Sequence, residues 1–104
     1  MLDKTTVIDI SKRYANVVKN EFLPTAVILF GSYVNGVPNN ESDIDIGVVF
    51  DDFTDDWYKT SLRLWHLAYE ISWDIEPHLL DVKQDDSGFV KHVFKTGHII
   101  YQAE

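Results

Sequence analysis

Cysteine is missing altogether from the 104 residues, and glycine and proline, at five and three, are outnumbered by Phe, Tyr and Trp. Without cysteine there is no disulfide framework and no thiolate metal site. With so few turn formers and so many aromatics, a disordered tail or a two-domain chain is excluded. Positive charge is short as well: nine Lys and Arg stand against seventeen Asp and Glu, a net charge of −8. Such a surface repels a phosphate backbone, so binding to duplex DNA is not expected. No apolar run is long enough to cross a bilayer, and the charged start at Asp3 and Lys4 lacks a signal-peptide core, so no membrane segment and a cytoplasmic location are expected. What remains is 45% apolar and 13% aromatic. That composition is one globular domain over residues 1–104. A chain of this size buries roughly 65% of its unfolded surface, enough for one core but not for a deep cleft holding two substrates. An acceptor substrate would have to be brought by something else, a partner or a second copy in a homo-oligomer.

Periodicity divides the chain into alternating elements. Residues 6–22 carry Val7, Ile10, Tyr14, Val17, Val18 and Phe22 at helical spacing, with Thr5 or Thr6 as the expected cap and Pro24 as the stop. The run Ala26-Val27-Ile28-Leu29-Phe30 reads as a strand buried on both faces, ending at Gly31. Only residues 32–35 have room for a helical turn before a second strand over 43–50. A third helix over 54–71 shows Tyr58, Leu62, Trp65 and Tyr69 on one stripe, widened by Leu64, Leu67 and Ala68. That stripe reads as core, with part of it available to dock a partner. Residues 73–80 form a third strand, which is expected to lie at an edge or to end near Pro77 because proline cannot donate to a ladder. A short helix over 87–96 stops at Gly97, and Ile99, Ile100 and Tyr101 add a last strand. The expected class is α/β or α+β, a mixed sheet of three to four strands with helices packed on it.

One stretch carries chemistry. Gly31 and Ser32 lie where a buried strand hands over to a helical turn, so backbone N–H groups and a hydroxyl converge where a phosphate can approach a glycine that has no Cβ. Eleven positions beyond Ser32 comes Asp43-Ile44-Asp45-Ile46. Carboxylates two apart on a strand point to one side. At about 4 Å they repel by on the order of 4 kcal/mol at an effective dielectric near 20, and no Lys or Arg occurs between residues 35 and 52. A divalent cation relieves that repulsion, and hard oxygen ligands with room for water and phosphates suit magnesium.

Together, Gly31-Ser32, the spacer with Gly36, and Ser42-Asp43-Ile44-Asp45-Ile46 resemble the minimal nucleotidyltransferases of the polymerase beta-like superfamily, across the length of the chain. The resemblance implies that Asp43 and Asp45 bind Mg2+, that Gly31 and Ser32 grip a nucleoside triphosphate, ATP in the first instance, and that a third carboxylate from a later strand joins the metal and activates the acceptor. Strand parity restricts that third group to Asp74 or Glu76, and the deeper, longer Glu76 is preferred. It also implies an antitoxin that transfers AMP to a tyrosine hydroxyl of a HEPN-type toxin partner.

One departure stands out: Asn35 occupies the place where many members carry arginine, which removes a phosphate-facing cation. Lys59 or Arg63 on the third helix would have to replace it. His78 shares the face of Glu76, a position open to orienting that acid or touching substrate, but it has no second histidine at ligand spacing, so a structural or exposed role is favoured. Asp81, Asp85 and Asp86 read as a solvated loop. Two other functions compete: a non-catalytic antitoxin module that only binds its partner, and a small-molecule nucleotidyltransferase of the antibiotic-modifying kind. The first predicts neutralisation that survives loss of Asp43 or Asp45. The second requires an acceptor pocket completed by another subunit.

Overall fold

A computed structural model describes residues 2–104. The elements are α1 (Lys4–Glu21), β1 (Ala26–Phe30), α2 (Ser32–Asn35), β2 (Ile44–Phe50), α3 (Trp57–Ile71), β3 (Ile75–Asp81), α4 (Phe89–Thr96) and β4 (His98–Gln102). The strands pair in the order β3-β2-β1-β4. β1 runs antiparallel to both β2 and β4, while β2 and β3 are parallel, which makes the sheet mixed. Pro77 lies on the edge strand β3, beside Ile46, as its missing N–H requires.

Strand alternation sends side chains to two unequal layers. Val27 and Leu29 of β1, Ile44, Ile46 and Val48 of β2, and Ile75 and Leu79 of β3 join Val7, Tyr14 and Val18 of α1 and Leu64 and Ala68 of α3 in the larger core. The opposite face holds Ala26, Ile28 and Val49 against Val90 and Val93 of α4. A helix of eight residues is only about 12 Å long, so it covers part of that face. Polar side chains of β2 and β3 find room on the remainder. Between α1 and α3, the wholly buried Tyr14 donates its hydroxyl to the Leu64 carbonyl at 2.9 Å, and burial pushes its phenol well above the ordinary tyrosine range.

Three expectations about the helices and loops need correcting. α1 is capped by Asp3, whose Oδ1 accepts from Thr6 N–H at 2.8 Å, so Thr5 and Thr6 lie inside the helix. The stripe of Tyr58, Leu62, Trp65 and Tyr69 is not core. Thr60, Leu64, Leu67 and Ala68 are the buried residues of α3, while Tyr58 is 72% exposed and Leu62 52%. At 100° per residue the two sets lie on opposite sides of the helix. Because both are apolar at helical period, periodicity alone could not choose between them, and the smaller Ala68 and Thr60 permit the closer approach to the sheet. Asp81 is not solvated either: it is 4% exposed at the end of β3 and accepts from the N–H groups of Asp52, Phe53 and Lys83.

Candidate active site

The parallel register of β2 and β3 sets Asp45 beside Glu76 and Gly47 beside His78. Alternation puts Asp45, Glu76 and His78 on the thinly covered face, because their neighbours Ile44, Ile46, Ile75 and Leu79 are all in the larger core. One ligand atom from each of Asp45, Glu76 and His78 falls within a 4.8 Å group, and all three residues are half-buried. His78 Nε2 lies 3.1 Å from Asp45 Oδ1. Phe30, paired with Asp45 across β1 and β2, packs its ring on the imidazole at 5.0 Å and is itself backed by Phe89 of α4 at 5.7 Å.

Gly31 closes the other side of this group. Its φ of 83° and ψ of −154° belong to a region that side-chain-bearing residues avoid, and a Cβ there would collide with Asp45 Oδ2. Glycine therefore both permits the turn and lets its backbone approach the Asp45 carboxylate. Ser32 opens the single turn α2, whose first N–H groups precede its own hydrogen-bonding ladder.

The carboxylates are crowded. The Glu76 carboxyl is held above the usual glutamate range, first by burial, then by its hydrogen bond with Asp45 and by the charges of Asp45 and Asp43, with His78 opposing them. Asp43 is exposed just ahead of β2 and lies outside the compact group, though its charge reaches Glu76. Asp74 stands in a turn before β3, hydrogen-bonded to Ser72, while its carbonyl accepts from Ile44 N–H. Of the two acids allowed by parity, Glu76 is thus the one beside Asp45. The crowded acids, the imidazole and the missing Cβ at Gly31 fit a divalent cation, with Asp45 and Glu76 as oxygen donors.

Arg63 is committed elsewhere. Its guanidinium binds Glu21 of α1 through two hydrogen bonds of 2.5 and 2.6 Å, so it does not stand in for the arginine absent at Asn35. His78, for which the sequence favours a structural or exposed role over one beside Glu76, belongs to this group. Its alternation with Glu76 was visible, but the pairing of β3 with β2 that sets it against Asp45 was not. A separate hollow of about 440 Å³ runs along α1 between Lys4, Ile8 and Lys12, and lacks converging acids.

A positive-φ glycine turn against a carboxylate, with a second carboxylate on the adjoining parallel strand of a mixed sheet, is an arrangement suited to nucleotidyl transfer. Residues 12–104 match the family Polymerase beta, Nucleotidyltransferase, and the chain belongs to it. A Methanocaldococcus jannaschii protein assigned as a protein adenylyltransferase is 39% identical over 44 residues, a match spanning 42% of this chain and 44% of that protein. The fold is similar to a Sulfolobus solfataricus protein assigned as a nucleotidyltransferase, with a TM-score of 0.69 at 21% identity, covering 95% of this chain and 83% of the other. It is also similar to a chain from a complex of a tri-AMPylated Shewanella oneidensis HEPN toxin with an MNT antitoxin, at a TM-score of 0.61 and 18% identity, covering 97% and 74%. A toxin–antitoxin complex with AMP-PNP contains a further similar chain, at a TM-score of 0.63 and 24% identity, covering 89% and 74%. Among the described residues no helix is long and apolar enough to cross a membrane.

Proposed function

We propose that the chain transfers AMP from ATP to a hydroxyl in a magnesium-dependent reaction, and that the acceptor is a tyrosine of a HEPN-type toxin which it thereby restrains as an antitoxin in the cytoplasm. The observation that carries this reading is the meeting of Asp45, Glu76 and the Gly31-Ser32 turn around one shelf. The toxin, the nucleotide and AMP transfer are named for the similar chains and the M. jannaschii relative, and they support the same chemistry here.

Bound magnesium supplies charge neutralisation and orientation for the triphosphate. Asp45 would hold it from β2, and Asp43, exposed at the mouth of that strand, would supply a second carboxylate to it. Gly31 and Ser32 bind phosphate oxygens through backbone N–H groups and the Ser32 hydroxyl. Glu76 would join the metal group and accept the proton of the attacking hydroxyl. The α-phosphate is then attacked in line, the bond to the β-phosphate breaks and pyrophosphate leaves. Such transfers rest mostly on positioning and charge, within reach of a small domain.

A second reading, a non-catalytic binding module, is favoured by the exposed aromatic face of α3 and by Asn35. Incubation with α-labelled ATP, Mg2+ and the HEPN-type partner separates them. Label on the partner, lost with Asp43→Ala or Asp45→Ala, supports transfer. Neutralisation of the partner without label, unchanged in those variants, overturns it.

A further inference from the structure

Resting on the reading of this shelf as a metal-dependent nucleotidyl-transfer site, we infer that His78 is itself a metal ligand and that its nitrogen makes the site favour a first-row transition ion over magnesium. Bonds of about 2.1 Å at right angles place two ligand atoms about 3.0 Å apart on one ion. The Asp45 Oδ1 to His78 Nε2 separation is 3.1 Å, and the Glu76 carboxylate completes the group within 4.8 Å. One imidazole nitrogen and one oxygen from each carboxylate are thus close enough to be drawn onto a single ion.

The ring is also held in place. Phe30 packs on it from β1 with Phe89 behind, and His78 projects from the interior of β3, opposite Gly47, which has no side chain of its own. A nitrogen donor changes the choice of cation. Magnesium prefers oxygen and retains water, whereas imidazole binds divalent transition ions more strongly. No Lys or Arg within residues 35–52 offers an alternative positive charge. The Asp43–Asp45 pair alone would make an all-oxygen site, and His78 makes a mixed one.

Pulsed electron paramagnetic resonance of Mn2+ bound to the full chain tests this, with and without a non-hydrolysable ATP analogue. We expect nitrogen coupling from a coordinated imidazole, lost in His78→Phe. Mn2+ affinity should fall by roughly tenfold or more while Mg2+ affinity changes by less than about twofold. Mn2+ bound without nitrogen coupling in the wild-type chain overturns the inference whatever the variant does. So does equal weakening of both metals, or Mn2+ binding indifferent to Asp45→Asn. Label transfer that persists without nitrogen coupling leaves the transfer reading standing and removes only the role of His78. Nitrogen coupling without any label transfer does the reverse.

Discussion

Strands β2 and β3 carry an acid cluster at each end, and the two ends treat their carboxylates differently. At the end where Phe50 pairs with Asp81, the Asp81 carboxylate is buried and accepts three backbone N–H groups, two from residues 52 and 53 and one from Lys83. Its hydrogen-bonding capacity is spent on holding the turn before α3. At the other end Asp45 and Glu76 have each other, one imidazole and an open face. A carboxylate saturated by backbone donors is structural. A pair left to repel each other is poised for a cation, and the lower stability of that arrangement is what ligand binding relieves.

That contrast can be broken by exchanging effects between the two ends. Asp45→Ala should lower AMP transfer by about 10³-fold, equivalent to ~4 kcal/mol of barrier, while its melting curve stays within about 1 kcal/mol of wild type. A large fall in stability together with activity would place Asp45 in the Asp81 class. Asp81→Ala should do the opposite. Three N–H groups lose their acceptor, which costs about 3 kcal/mol in urea unfolding, while transfer per folded molecule persists. Gly31→Ala should cost about 2 kcal/mol, from the unfavourable backbone region and the collision with Asp45, and should also reduce transfer. The smallest effect concerns Glu76. Its folded pKa is raised, so the stability linked to its protonated form is present below the unfolded value and is lost as pH rises through the folded one. In the metal-free protein, Glu76→Gln should therefore melt slightly higher than wild type at pH 7. The difference should shrink as pH falls below the ordinary glutamate range, and a gap that grows on acidification would contradict the crowding.

Much of this was legible before any coordinates. The order of eight elements follows from runs such as residues 26–30 and from the turn residues between them, and Pro77 narrowed its strand to an edge or an end at that residue. The Gly31-Ser32 turn and Asp45 were legible because their spacing is local to two neighbouring strands. What escaped was set by pairing across the chain. Asp81 gains its role from the loop at residues 51–53, and His78 gains its own from β2, neither of which periodicity can reveal. The outer face of α3 escaped for another reason. Tyr58, Leu62, Trp65 and Tyr69 repeat as well as the buried set, and the hydrophobic pattern does not distinguish the side that meets the sheet. The Tyr69 and Trp73 rings, stacked at 5.3 Å, prolong that exposed surface beyond the helix.

The most direct test of the central claim is an anomalous difference map from crystals of the chain soaked with MnCl2 and a non-hydrolysable ATP analogue. The account predicts a manganese peak bonded to Asp45 and Glu76 on the shelf, with the triphosphate resting on the Gly31-Ser32 turn. A peak at the Asp81 end, or a triphosphate bound away from that turn, would contradict it.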